Sequence, residues 1–159
     1  MKKKKTILSE QDFKRIITRI SHEIIEKHKG IANLALVGIQ TRGDFLAKRL
    51  ADQIKEIENV SLPVGSMDIN MYRDDWTKIS RQPTVRPSNI PFSVDDIDII
   101  LVDDVLFTGR TIRAAMDALM DFGRPSRIEL AILVDRGHRE LPIQADYKGI
   151  SVDTEHPDM

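Results

Sequence analysis

Apolar and polar positions follow two periods along this chain. From Phe13 onward Ile16, Ile17, Ile20 and Ile24 recur three and four residues apart, the spacing of one helical face. Ser9 stands before them as an N-cap, Asp12 takes the capping-box position, and Gly30 is a natural stop. LALVGI, Leu34 to Ile39, has no polar face at all, which predicts a strand buried on both sides. Phe45, Leu46, Leu50 and Ile54 return to helical spacing, and a strand is predicted from Val60 to about Asn70. DIDIILVD (Asp96 to Asp103) reads as an inner strand and Thr111 to Phe122 as a helix that packs through Ile112, Ala115, Met116 and Leu119. After the turn GRPS comes a further strand, IELAILVD, ending at Asp135. Strand, loop and helix in repeated order predict an α/β fold with a central, mainly parallel sheet and flanking helices.

Tyr72 to Pro91 breaks the pattern. Acids and bases are mixed there among Pro83, Pro87 and Pro91, as in a long hairpin or a closing flap, and the length favours functional use. No internal repeat, linker or low-complexity segment divides the sequence, so residues 1–159 are expected to form a single domain.

Composition narrows the function classes. With 41% hydrophobic and 31% charged residues the chain is an ordinary globule rather than a disordered one. The absence of cysteine removes disulfides, thiolate zinc sites and cysteine catalysis. No apolar run is long enough for a membrane span, and Lys2 to Lys5 precede no long apolar core, so a cytoplasmic location is expected. A net charge of -1 means that any nucleic-acid binding must use a local patch. The N-terminal lysines are either part of such a patch or a frayed, solvated end. Thr18 and His22, one turn apart and neighboured by Arg15 and Arg19, form a second basic face on the first helix.

Gly38 to Gly43, Asp103 to Thr111 and Asp135 to Gly137 all fall at predicted strand carboxyl ends, where ligands bind in open α/β sheets. Thr108-Gly109-Arg110-Thr111 turns into a helix, and glycine, free N–H groups and threonine hydroxyls suit a phosphate. Neither a G-x-G-x-x-G nor a G-x-x-x-x-G-K-[ST] is present. Asp103 and Asp104 just upstream can hold a diol or order the waters of a magnesium ion. The combination points to a sugar phosphate. A plain acidic turn or a receiver domain also places an acidic pair after a strand, but not with V-L-F-T-G-R-T behind it.

ILVDDVLFTGRTIRAAMDAL resembles the phosphoribosyl-diphosphate motif of type I phosphoribosyltransferases. With TRISHEIIEK, ALVGIQTRG, DINMYRDD, RPSNIPF, FGRPSRIELAILVDRGHRELPI and ADYKG, the chain is similar to the pyrimidine-operon attenuation regulators that are also uracil phosphoribosyltransferases. That resemblance implies transfer of a ribosyl phosphate from 5-phosphoribosyl 1-diphosphate to uracil, giving UMP and diphosphate with Mg2+ as cofactor. Asp103 and Asp104 would contact the ribose hydroxyls or the magnesium shell, and Thr108, Gly109, Arg110 and Thr111 would cradle the 5-phosphate. Thr41, Arg42 and Gly43 would hold the diphosphate, with Asp68, Arg73 and Asp74 beside it and Arg136 facing it. Phe107 stands where purine-type relatives carry an acid, and its ring would line a pyrimidine pocket. The flap from Tyr72 to about Pro91 would close over the substrate.

The same resemblance implies binding of leader RNA from pyrimidine genes, favoured by UMP or UTP, through Thr18, Arg19, His22 and Arg139, and a homodimer or higher oligomer. Gln144 and Ile150 stand where arginine and lysine are usual, with Lys148 as a partial substitute. The ending GISVDTEHPDM replaces the expected threonine-rich turn and final strand, so a shortened C-terminal hood is expected; Glu155, His156 and Asp158 read as a polar tail rather than a metal cluster. Three functions remain open at this point: a bifunctional regulator and enzyme, a nucleotide-sensing regulator without significant turnover, and an enzyme that has lost RNA binding.

Overall fold

The computed structural model of the chain describes residues 8–29, 31–69 and 88–152. The N-terminal lysines, Gly30, Arg73, Asp74, the flap up to Pro87 and the tail from Asp153 lie outside the described residues. Helices α1 (Glu10–His28), α2 (Gly43–Glu58) and α3 (Arg110–Leu119) alternate with strands β1 (Leu34–Ile39), β2 (Val64–Met67), β3 (Asp98–Leu106), β4 (Arg127–Asp135) and β5 (Tyr147–Ser151). The five strands form one sheet in the order β2-β1-β3-β4-β5, every neighbour pair parallel.

Alternate residues of the inner strands feed two cores, as the period of two requires. Leu34, Leu36, Ile100 and Val102 meet Ile17, Ile20 and Ile24 of α1 and Leu46, Leu50 and Ile54 of α2. Val37, Ile39, Ile99 and Leu101 meet Ile112, Ala115 and Leu119 of α3 on the opposite face. The α1 start is as expected, with the Ser9 hydroxyl accepting from the Asp12 N–H at 3.0 Å. Several boundaries move. β2 is shorter than expected because Pro63 precedes it, supplying only a carbonyl to Leu36 N. α3 ends at Leu119, leaving Met120 and Phe122 about half exposed.

From β1 the chain crosses by α2 to β2 on one side, and β3 then lies on the other side of β1. The connections thus diverge between β1 and β3, which opens a crevice at their carboxyl ends.

Candidate active site at the carboxyl edge

β1 ends at Ile39, and Gln40 to Arg42 turn the chain directly into α2; the Gln40–Thr41 peptide is cis. Two glycines make so tight a turn feasible. A Cβ on Gly38 would collide with the backbone of Gly43 and Asp44, and one on Gly43 would collide with the Val102 carbonyl of β3. The turn is also tied to β2, since Gln40 N–H donates to the Met67 carbonyl at 2.8 Å and Gln40 Nε2 to Ser66 Oγ at 3.3 Å. Asp68 follows directly, half-buried.

β3 runs three residues past the expected end, so Asp104 lies within the strand together with Asp103 rather than beyond it. Asp103 pairs in register with Ile132, is buried, and its Oδ1 accepts the Asp104 N–H at 2.8 Å. Asp104 is half-buried. Gln40, Thr41, Arg42, Asp103, Asp104, Val105 and Thr111 line one cleft of about 300 Å³. The turn at Gln40 to Arg42 and the acidic pair, more than sixty residues apart in sequence, therefore face the same space.

The turn into α3 is built on Gly109, whose φ of 99° is a left-handed conformation that side chains disfavour. Thr108 Oγ1 accepts the Arg110 N–H at 3.2 Å, while Arg110 Nε reaches outward to Glu140 Oε1 at 2.8 Å. The Thr108 carbonyl accepts from Glu140 N and Leu141 N, which staples the loop after β4 to the turn into α3.

That loop supplies a wall. Arg136 lies over the Phe107 ring with its guanidinium carbon 4.5 Å from the centroid, and His138 meets the same ring edge-on at 5.5 Å. Asp135 is buried, and the Arg139 hydrogen bond holds its carboxyl below the usual range despite burial. Sequence reasoning passed over His138, Glu140 and the buried pairing of Asp135, although all sit in the DRGHRELP segment.

The residues expected at RNA separate into three settings. Thr18 is half-buried in a cleft of about 330 Å³ between α1 and α2, with Lys14 and Arg49 but also Asp52 and Glu56. His22 is exposed one turn further along α1. Arg19 turns to the Lys148 and Gly149 carbonyls of β5 at 3.1 and 2.7 Å, and Arg139 is engaged around Asp135.

The chain matches the phosphoribosyl transferase domain family over residues 3–158. A bifunctional protein PyrR from Deinococcus radiodurans is 57% identical over 151 residues, covering 95% of this chain and 82% of that protein. A bifunctional protein PyrR from Bacillus mycoides is 57% identical over 156 residues, covering 97% and 87%. Among solved structures, a hypoxanthine phosphoribosyltransferase from Staphylococcus aureus superposes with a TM-score of 0.74 at 21% identity over 96% of this chain and 80% of that one. A hypoxanthine-guanine phosphoribosyltransferase from Bacillus anthracis gives 0.76 at 15% identity over 98% and 86%. These two share the fold. By its domain match and by its near full-length identity, the chain belongs to the phosphoribosyl transferase domain family and, within it, to the family of the bifunctional PyrR proteins.

Proposed function

We propose that the carboxyl edge transfers a ribosyl phosphate from 5-phosphoribosyl 1-diphosphate to uracil, and that the same chain is a pyrimidine-responsive, RNA-binding regulator of transcription attenuation. The observation that carries the enzymatic half is the convergence of Gln40 to Arg42, Asp103-Asp104 and Thr111 on one cleft at the switch point of the sheet. The identity to proteins named bifunctional supports the pairing of the two roles.

In this reading Thr108, Gly109 and Thr111 hold the 5-phosphate at the start of α3, where backbone N–H groups and the helix dipole favour an anion. Asp103 and Asp104 orient the ribose hydroxyls. Thr41, Arg42 and Gly43, with Asp68 nearby, hold the diphosphate, and Arg136, stacked over Phe107, adds a positive charge from the loop after β4. As the bond from ribose C1 to the diphosphate oxygen loosens, its electron pair leaves with diphosphate and positive charge develops on the sugar. The uracil N1 then attacks C1 and gives up its proton to the departing diphosphate or to water, so the protein needs no nucleophile of its own. Phe107 packs against the base.

A magnesium ion fits this donor set. The adjoining Asp103 and Asp104 offer hard oxygens at the cleft beside the proposed diphosphate position. That arrangement suits an ion that keeps water and substrate oxygens around it. When bound, it neutralises diphosphate charge and eases departure.

The face of α1 around Thr18 and His22 is the proposed contact for leader RNA, with UMP or UTP as the signal, in a cytoplasmic homodimer or higher oligomer. Among the described residues no helix is long and apolar enough to cross a membrane. A second reading, an enzyme without RNA binding, gains support from Arg19, whose guanidinium serves the protein's own carbonyls. The test is UMP formation from labelled uracil with and without 5-phosphoribosyl 1-diphosphate in magnesium buffer. Product that depends on the sugar diphosphate is expected. No product from folded protein would contradict turnover and leave nucleotide sensing.

A further inference from the structure

We propose that Arg139 is a positioning residue of the base-side wall, holding the Phe107–Arg136 stack against the loop after β4. The guanidinium has five N–H donors, and four of them are directed into the protein. Nε donates to the Ile143 carbonyl at 2.7 Å. NH1 donates to the Phe107 carbonyl at 2.9 Å and to Asp135 Oδ1 at 3.0 Å, with the Gly137 carbonyl at 3.4 Å. NH2 donates to Asp135 Oδ2 at 2.8 Å. One N–H is left, on a side chain that is 22% exposed.

The loop is shaped for this contact. Gly137 and His138 have φ of 78° and 58°, two successive left-handed residues that reverse the chain after β4. Gly137 N–H caps Asp135 Oδ1 at 2.9 Å. The reversal brings Arg139 under the carbonyl of Phe107, whose ring is covered by Arg136 and met edge-on by His138. Arg139 thus joins the ends of β3 and β4 at the residue that carries the aromatic wall. A bidentate pair with three further carbonyl contacts fixes orientation as well as distance.

This assignment rests on the proposed placement of uracil against Phe107. The experiment is steady-state kinetics of Arg139→Ala, Arg139→Lys and Phe107→Ala, with UMP affinity by calorimetry and thermal midpoints alongside. Arg139→Ala should raise KM for uracil about tenfold and weaken UMP by a similar factor, with KM for 5-phosphoribosyl 1-diphosphate within about twofold. Arg139→Lys keeps a charge beside Asp135 but cannot fork to both carbonyls, so it should fall between the two and serves if the alanine variant does not fold. A merely structural loss would lower kcat with the folded fraction and leave both KM values alone. Unchanged uracil KM in the Arg139 variants, with Phe107→Ala impaired, would overturn the role of Arg139. Unchanged uracil KM in Phe107→Ala would overturn the placement of the base, and this inference with it.

Discussion

The two ends of the sheet use ionisable residues in opposite ways. At the amino end, Glu129 is buried among partners. His28 Nε2 and Tyr147 Oη meet its Oε1 at 2.9 and 2.7 Å, and Lys27 Nζ lies 2.9 Å from Oε2. His28 Nδ1 lies 3.4 Å from Asp98, Lys27 also reaches toward Asp146, and Arg127 flanks Glu129 at 3.7 Å. Oε1 accepts hydrogen bonds, whereas Oε2 meets Lys27 and Arg127 as ion pairs only, and together these contacts tie the end of α1 to the starts of β3, β4 and β5. At the carboxyl end, Thr41, Arg42, Asp104 and Thr111 line an open cleft instead. A buried carboxylate held by neighbouring side chains ties the fold together, and one that faces a cleft is available to a substrate.

The comparison can be broken first at the amino end, where the largest effect on stability is expected. Glu129→Ala strands His28, Tyr147 and Lys27 and should lower stability by on the order of 3 kcal/mol. Urea denaturation measures this, and UMP formation below the transition should stay close to wild type. A variant of normal stability would show that the network is ornamental.

Acid sharpens the same contrast. Burial pushes the Glu129 carboxyl up, but bonds from His28, Tyr147 and Lys27 outweigh it and hold the group below its ordinary value. A lowered carboxylate contributes stability that is complete above its unfolded pKa and is lost as pH falls through the native one. Asp135, lowered by Arg139, acts in the same direction. Glu129→Gln should therefore flatten the acid limb of the stability profile. An acid limb of unchanged slope would argue against the assignment.

The smallest expected effect lies on α1. His22→Ala should leave turnover intact and weaken leader RNA on the order of fivefold at fixed salt, the worth of one polar contact. Titration by filter binding or anisotropy checks it, and unchanged affinity would remove His22 from the proposed interface.

The carboxyl end was the more legible of the two. Asp103-Asp104, Thr108 to Thr111 and Thr41 to Gly43 are contiguous motifs whose chemistry survives without coordinates. The mainly parallel sheet with flanking helices followed from apolar runs and from Ser9 and the helical spacing of Ile16 to Ile24, whereas the strand order β2-β1-β3-β4-β5 did not. Glu129 left no such trace. It lies inside the apolar run IELAILVD, and His28, which satisfies it, is 101 residues away. β5 escaped because Tyr147 to Ser151 is short and its apolar contacts are made with α1 and β4. For Arg139, sequence supplies a guanidinium in a basic segment but not its direction, and only the reversal at Gly137 and His138 turns it inward.

The central claim is that the carboxyl edge is the site of phosphoribosyl transfer, and Asp104→Asn tests it most directly. The substitution keeps the shape of the side chain and removes its charge at the cleft. UMP formation should fall about 100-fold or more, the usual scale for losing one charged group at a reacting centre, while the thermal midpoint stays within a few degrees of wild type. Activity that falls only in step with thermal stability, or does not fall at all, would contradict the claim.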